Sequence, residues 1–318
     1  MPAITPIAQL ETMMLIRAHE EKLATLAGPA PGTCTAVGQE AAAVGAVGVL
    51  RSCDRILTNH RSAGHLLARG ADPGRLMAEV MGRATGYCKG KSGSLHVSAA
   101  ELGVVLTSTI VGAELSLAPG VALAQKMGGA GTEPGGITAV FFGDGAACEG
   151  IFHESINLAV TWRLPVLYLC ENNQWQAFVR RDETMPHRHV RTWAAAHGLP
   201  AVTVDGNDVQ AVAEAVGEAA RHVRDEGTPY FVELDTYRTR GHFEPDDQGY
   251  VDAAELAQWK ARDPIALART RLLADGTVTP GELRHLEQRV AATVEAAFAF
   301  AQASPYPAAS ELATDVYA

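Results

Sequence analysis

The 318-residue sequence lacks the features that define several protein classes. It has no apolar run as long as the roughly 18 to 20 residues that a membrane-spanning helix requires, so we expect no membrane association. The net charge is −10 and the basic residues are scattered, which argues against binding to nucleic acid or an anionic membrane surface. No repeat, low-complexity tract or Pro/Ser-rich linker divides the chain. We therefore expect a single domain over residues 1–318.

Cysteine is scarce as well. The five cysteines are odd in number, widely spaced and free of any CxxC pair, which argues against a disulfide framework or a zinc site. The first residues show no basic region followed by an apolar stretch, and Glu11, Glu20 and Glu21 argue against a transit peptide. We expect a soluble, cytoplasmic protein.

Hydrophobic spacing and turn residues predict alternating helices and strands. Gly28 and Pro29 are expected to end the first helix, and Asp72 and Pro73 to begin another. The predicted helices are Ile7–Leu26, Asp72–Gly82, 113–127 and Val209–Arg224. Residues 253–303 are predicted to form further helices, with breaks at Asp263-Pro264 and at 276–280. The predicted strands are Arg55–Thr58, Ile137–Phe142, Val166–Cys170, Ala201–Val204 and Tyr230–Tyr237.

The most informative stretch runs from Ile137 to Asn173. One apolar run ends at Gly143-Asp144-Gly145, a helical pattern follows, and a second apolar run ends at Glu171-Asn172-Asn173. Two neighbouring parallel strands would bring Asp144 and Asn173 together at their carboxyl ends, where open α/β sheets bind ligands.

This corner is suited to a metal ion and a diphosphate. A carboxylate, an amide oxygen and a main-chain carbonyl are hard ligands for Mg²⁺ or Ca²⁺, and they leave coordination positions for phosphate oxygens. Gly143 and Gly145 allow a close approach to the backbone, and N–H groups at the start of the following helix would face an anion. Either motif alone is common and mostly marks a turn, so the prediction depends on the pair.

The two motifs, Gly143-Asp144-Gly145 and Asn172-Asn173, are separated by residues 146–171. At this spacing they resemble the GDG…NN motif of thiamine diphosphate enzymes. With ENN and its surroundings, the chain resembles the α subunit of a 2-oxoacid (pyruvate or branched-chain) or acetoin dehydrogenase first component. The resemblance implies a thiamine-diphosphate-binding α/β fold: a mostly parallel, doubly wound sheet flanked by helices, with an N-terminal helix over about residues 1–30 and a C-terminal helical extension over about residues 252–318. It implies thiamine diphosphate and Mg²⁺, with Ca²⁺ or Mn²⁺ as alternatives. The implied metal ligands are Asp144, Asn173 and the main-chain oxygen of Trp175, with further cofactor contacts at Gly143, Gly145 and Ala146.

The segment Asn59–His65 resembles a family loop whose arginine binds the diphosphate. A single arginine is more often a surface ion pair, but the resemblance assigns Arg61 to the phosphates, with His60 beside it as a cofactor contact and His65 as a catalytic candidate. Two positions depart from the family: Cys34 and Ala63 stand where substrate-side histidines are expected.

Two further loops carry predicted cofactor contacts. Ile110 and Val111 precede a helix, and Val111 occupies the family position for the residue wedged between the two cofactor rings; a core position is the alternative. His242 follows a predicted strand and resembles the family's active-site histidine, assigned to both cofactor binding and acid/base chemistry. Phe243 stands where mammalian pyruvate-type members have a phosphorylated serine, so regulation by phosphorylation at this position is not expected. The sequence around Phe243 is more similar to acetoin-type members.

Two other motifs are assigned no ligand. The Gly-rich basic loop from Cys88 to His96 lacks the spacing of a phosphate-binding P-loop and is interpreted as structural or partner-facing. His187 and His189 are expected in a solvated loop rather than in a metal site.

Three functions remain open. In the first, the chain is the α subunit of a 2-oxoacid or acetoin dehydrogenase. A β subunit completes an α₂β₂ heterotetramer and supplies the glutamate that activates the cofactor, and a lipoyl acyltransferase accepts the acyl group. The second keeps the cofactor but performs carboligation or non-oxidative decarboxylation. The third is a non-catalytic assembly subunit. The sequence does not select the substrate.

Overall fold

The computed structural model describes residues 4–26, 33–129 and 133–315. The described strands are β1 (Arg55–Asn59), β2 (Val104–Ser108), β3 (Thr138–Gly143), β4 (Val166–Asn172), β5 (Trp175–Gln176), β6 (Val179–Arg180), β7 (Ala201–Asp205) and β8 (Tyr230–Asp235). Six of them form one parallel sheet in the order β2-β1-β3-β4-β8-β7, and β5 and β6 form a separate antiparallel pair.

Twelve α-helices are present in the described residues. They are α1 (Pro6–Ala24), α2 (Glu40–Val47), α3 (Ala63–Ala68), α4 (Pro73–Val80), α5 (Ala113–Lys126), α6 (Gly150–Trp162), α7 (Arg181–Thr184), α8 (Arg191–Ala196), α9 (Val209–Glu226), α10 (Ala253–Lys260), α11 (Pro264–Ala274) and α12 (Pro280–Ala303). None of them is both long enough and apolar enough to span a membrane.

Helices cover both faces of the sheet. Alternate residues of a strand point to opposite faces. In β3, Ala139 and Phe141 pack in a core with α1, α2, α3 and α9, whereas Val140 and Phe142 pack in a second core with α5, α6 and α8. A sheet buried on both sides explains why the central strands read as continuous apolar runs. The predicted doubly wound α/β fold is confirmed.

Most predicted elements are found near their expected bounds. Asp72 caps α4 by accepting a hydrogen bond from the backbone N–H of Arg75 at 2.8 Å, and Pro73 occupies the first turn. Gly28 and Pro29, which were predicted to end the first helix, lie outside the described residues. The sequence analysis missed β2, α3 and the β5–β6 pair, because each is too short to show a clear periodicity.

The Gly-rich loop from Cys88 to His96 is organised by a carboxylate. Glu79 accepts hydrogen bonds from the backbone N–H groups of Cys88, Gly90 and Ser92 at 2.7–2.9 Å. These N–H groups are therefore not available to a phosphate, which agrees with the prediction that this loop is not a P-loop. Lys89 and Lys91 of the same loop form ion pairs with the C-terminal segment.

The connections after β1 and β3 leave the sheet on opposite faces. The chain after β1 enters α3, in the first core, and the chain after β3 enters α6, in the second core. This divergence leaves a crevice at the carboxyl ends of the two adjacent strands, which is where ligands bind in folds of this kind.

Candidate active site

A cavity of about 410 Å³ lies in this crevice. Its walls come from the segments that follow β1, β2, β3, β4 and β8. Every predicted metal or cofactor ligand lines it: His60, Arg61, Ile110, Val111, Gly143, Asp144, Gly145, Ala146, Asn173, Trp175 and His242. Residues far apart in the sequence are thus brought to one cavity.

The predicted metal corner is present at the ends of β3 and β4. The register pairs Gly143 with Glu171, which places Asp144 beside the Asn172-Asn173 end of β4. The carboxyl group of Asp144 accepts a hydrogen bond from the backbone N–H of Asn173. The two ligands that the sequence analysis paired are therefore in contact.

The carboxyl group of Asp144 is only partly satisfied. Its Oδ2 atom is buried and has no hydrogen-bond partner among the described residues. Burial raises the pKa of Asp144 to about 6, partly offset by backbone N–H groups and by the charge of Arg181. A divalent cation at Oδ2 would supply the missing partner and favour the ionised form, so the corner fits a metal ion.

The turn after β4 holds the other two predicted ligands together. Gln174 adopts a left-handed backbone conformation with φ of 71°, between Asn173 and Trp175. Its side-chain amide holds this turn by donating to Asp235 Oδ1 at 2.7 Å and to the carbonyl of Asn172 at 3.1 Å. A strained backbone that is held in this way is common at ligand sites.

Two buried arginines, Arg61 and Arg238, line the cavity. Arg61 donates to the carbonyls of Thr35 (2.8 Å) and His242 (2.7 Å), and Arg238 donates to the carbonyl of Ala177 (2.9 Å). Neither forms an ion pair with a carboxylate in the described part of the chain, and Nε of Arg238 has no partner there. Burial, with the charge of Arg238, lowers the pKa of Arg61 to about 10. An anionic ligand would neutralise both guanidinium groups.

The two guanidinium groups fix the state of His242. Nδ1 of its ring lies 3.0 Å from Arg61 and 3.2 Å from Arg238, and both groups can only donate. Nδ1 is therefore the acceptor, and the neutral ring carries its proton on Nε2. Burial and the charges of Arg61 and Arg238 lower the pKa of His242 to about 4. At neutral pH this histidine is a hydrogen-bond donor through Nε2, not a cation.

The remaining predicted contacts shape the cavity walls. A Cβ atom added to Gly143 would meet no atom within 4 Å, so this side of the backbone is open. Ile110 and Val111 form an exposed apolar rim. The prediction of anion-facing N–H groups after Gly145 needs a correction, because a 3-10 turn at Ala146–Cys148 precedes α6, and the N–H groups of Ala147, Cys148 and Glu149 donate within it.

The structure does not bring His65 to the cavity surface. Its ring is buried against Phe141, with Nδ1 2.7 Å from Thr58 Oγ1 and Nε2 3.1 Å from Glu171 Oε1. Because α3 begins at Ala63, His65 points into the sheet rather than along a loop. Glu171 does line the cavity, so we propose that His65 positions Glu171, and its catalytic role stays a prediction.

We expect His65→Ala to destabilise the chain. It leaves the buried oxygens of Thr58 and Glu171 without this partner, at a cost of about 1–3 kcal/mol for each unsatisfied group. Urea unfolding monitored by circular dichroism measures the change. The exposed His187→Ala is the matched control and should shift stability by less than about 0.5 kcal/mol. Equal stability of both variants would contradict the positioning role.

The two departures from the family are adjacent in space. Cys34 lines both the large cavity and a small void of about 20 Å³, and Ala63 lines the void only. The side of the cavity where the resemblance places substrate therefore presents a thiol. His187 and His189 lie in the loop before α8, and the described residues contain no cluster of three or more His, Cys, Asp or Glu side chains arranged for a metal.

Sequence reasoning assigned no role to several residues on the cavity wall, among them Arg238, Glu114 and Glu171. Arg238 and Glu171 lie close in the sequence to the recognised residues His242 and Asn173. That proximity was the sequence feature that could have pointed to them. Glu114 offered none, because an acidic residue in the first turn of a helix usually faces solvent near the helix dipole.

Comparison with known proteins identifies the family of this chain. The model of the dehydrogenase E1 component family matches residues 11–310. The chain is 39% identical to the α subunit of acetoin:2,6-dichlorophenolindophenol oxidoreductase of Bacillus subtilis, over 96% of this chain and 92% of that protein. It is 42% identical to the protein of the same name from Cupriavidus necator, over 88% and 83%. It is 37% identical to the pyruvate dehydrogenase E1 component α subunit of Rhizobium meliloti, over 96% and 87%.

The chain belongs to the dehydrogenase E1 component family. This confirms the family, the fold and the class of enzyme predicted from the sequence. The protein is an α-type chain of a thiamine-diphosphate-dependent dehydrogenase that works with a β subunit.

Proposed function

We propose that this chain holds the Mg²⁺-diphosphate end of thiamine diphosphate and takes part in cleaving acetoin or a 2-oxoacid, with transfer of the acyl group to a lipoyl carrier. The observation that carries the proposal is the pair of buried guanidinium groups, Arg61 and Arg238, beside the unpartnered Oδ2 of Asp144. Two guanidinium cations and one carboxylate with an unpartnered oxygen suit a diphosphate bound together with a divalent ion.

Each group has a distinct task in this proposal. Asp144, the amide oxygen of Asn173 and the carbonyl of Trp175 hold the metal, with Ca²⁺ or Mn²⁺ as substitutes. Arg61 binds the phosphates, with His60 at its side, and Val111 supports the bend between the two rings. When bound, the cofactor supplies the carbanion and the electron sink for C–C cleavage. His242 holds a proton at Nε2 and donates a hydrogen bond to the substrate oxygen.

A β subunit completes the site in this proposal. Ile110 and Val111 are 67% and 51% exposed at the rim of the cavity, which a surface of another chain would cover. The resemblance assigns the cofactor-activating glutamate to that chain, in an α₂β₂ heterotetramer in the cytoplasm. The packing of α1, α11 and α12 against the first core supports a single domain for this chain.

Acetoin is the substrate that similarity favours, because two of the relatives named above are acetoin oxidoreductase subunits. The carboligase alternative remains because Cys34 replaces a substrate-side histidine. The decisive experiment is to co-purify the chain with its β subunit and to assay acetoin, pyruvate and branched 2-oxoacids, each with a lipoyl carrier or an aldehyde as acceptor. Product formation only with the aldehyde would favour carboligation. Absence of Mg²⁺-dependent binding of thiamine diphosphate would contradict the proposal.

We expect Cys34→His to shift specificity toward anionic substrates. An imidazole can donate a hydrogen bond to a carboxylate, which a thiol does only weakly, and such a bond to a charged group contributes about 1.5–3 kcal/mol. The ratio of kcat/KM for pyruvate to that for acetoin should rise by roughly tenfold or more. Cys148→His, at an exposed cysteine outside the cavity wall, is the matched control. An unchanged ratio would contradict a substrate-side position for Cys34.

A further inference from the structure

Glu114 is a buried acidic residue on the cavity wall that the proposed function does not use. It lies in the first turn of α5, its side chain is 1% exposed, and it lines the cavity. One carboxyl oxygen accepts a hydrogen bond from the residue's own backbone N–H. The other, Oε2, is buried and has no partner among the described residues. No arginine, lysine or histidine of the described residues forms an ion pair with it.

A carboxyl group in this setting is held in its neutral form. Desolvation without a neighbouring cation raises the pKa of Glu114 to about 8. The protonated Oε2 is then a donor with no acceptor in the described chain, and a buried donor without an acceptor is costly. Because Glu114 lines the cavity, a ligand that fills the cavity can supply this acceptor.

The position of Glu114 indicates which part of the ligand it meets. The predicted diphosphate ligands follow β1, β3 and β4, whereas Glu114 and Val111 follow β2, the outermost strand on that side of the sheet. A carboxyl group is a poor neighbour for a diphosphate, but a neutral one suits a ring nitrogen. The apolar rim of Ile110 and Val111 beside it likewise suits rings.

We propose that Glu114 binds the ring-bearing half of the cofactor as a protonated hydrogen-bond donor, an inference that rests on the proposed function. It adds a binding residue that belongs to this chain, separate from the metal and diphosphate ligands. The conservative variant Glu114→Gln keeps a neutral donor of similar size that does not titrate.

The test compares two ligands and two forms of the protein by calorimetry. Thiamine diphosphate with Mg²⁺ and inorganic diphosphate with Mg²⁺ are titrated into the protein co-purified with its β subunit, at about pH 7 and about pH 9. With a group that titrates near 8, wild-type affinity for thiamine diphosphate should fall about tenfold over this range. Glu114→Gln should lose most of that fall. With inorganic diphosphate the two proteins should behave alike, because it has no rings.

The control variant is Glu154→Gln, at an exposed glutamate on α6. Asp144, Glu149, Glu171, His60 and His242 line the same cavity and are unchanged in all three proteins, so the difference between variants isolates Glu114. Superimposable pH profiles for wild type and Glu114→Gln would overturn the inference alone. Failure of the wild type to bind thiamine diphosphate would overturn the proposed function, and the inference with it.

Stability of the unliganded chain gives an independent readout. The pKa of Glu114 is raised above the usual value of about 4.3 in an unfolded chain, so its stabilising contribution is complete below about pH 4.3 and is lost as pH rises to about 8. Thermal melts should therefore show Glu114→Gln gaining stability relative to wild type between about pH 5 and pH 8. A variant less stable than wild type near pH 8 would indicate a needed carboxylate and would overturn the inference.

Discussion

Asp144→Asn should abolish measurable Mg²⁺-dependent binding of thiamine diphosphate. The substitution keeps the size of the side chain and an oxygen acceptor, but it removes the charge that a divalent cation requires in a site with no other carboxylate ligand. Loss of a residue that only orients a metal-ligating side chain typically lowers metal affinity about 10- to 100-fold. Loss of a side chain that binds the metal directly should therefore lower it at least about 100-fold. Calorimetric titration with the cofactor, with and without Mg²⁺, measures this.

The matched control is Asp225→Asn, at an exposed aspartate on α9 far from the cavity. It should bind the cofactor as the wild type does. Thermal stability separates loss of binding from loss of fold. Because Asp144 is buried with an unpartnered oxygen, its neutral replacement should not destabilise the metal-free chain. Retention of Mg²⁺-dependent binding by Asp144→Asn would refute the metal assignment.

Arg61→Gln should affect binding and stability in opposite directions. Arg61 and Arg238 are both buried without a carboxylate partner; burial lowers the pKa of each, and the charge of Arg238 lowers the pKa of Arg61 further. Removing one charge relieves the repulsion between Arg61 and Arg238 in the empty cavity, while glutamine leaves a neutral amide donor at this position. Without a guanidinium the diphosphate loses a charge-assisted contact, a loss of about 1.5–3 kcal/mol or roughly 10- to 100-fold in affinity.

Two measurements check this expectation: the melting temperature of the unliganded protein, which should not fall, and the dissociation constant of the Mg²⁺-cofactor complex. Arg221→Gln, at an exposed arginine on α9, is the control and should change neither. A variant that melts much lower and binds normally would show that Arg61 serves the fold rather than the ligand. Such opposed effects are characteristic of residues kept for function at a cost in stability.

The proximity of Asp144 and Asn173 could be predicted from the sequence because it follows local rules. Each apolar run ends at a polar turn, and parallel neighbours meet at their carboxyl ends, so Asp144 and Asn173 had to be close if β3 and β4 were adjacent. The assignments of Arg61 and His242 came from resemblance. Their direct contact at 2.7 Å joins segments 181 residues apart and could not be read from periodicity.

The errors also have local causes. His65 was expected on a loop near the ligand, but α3 begins two residues earlier and turns its ring toward Phe141. Glu114 could not be found because its burial depends on the packing of α5 against the sheet, whereas its sequence position is that of an ordinary helix start. Arg238 directly follows the predicted strand Tyr230–Tyr237, and its hydrogen bonds to Ala177 and Tyr250 join segments that the sequence pattern does not link.

The exposed rim of Ile110 and Val111 has a thermodynamic consequence. If the same surfaces contact both the organic ligand and the neighbouring polypeptide, the free energies of the two associations are linked and must be reciprocal. Saturation with the vitamin derivative would then tighten the assembly, and dilution of the assembly would release the vitamin derivative.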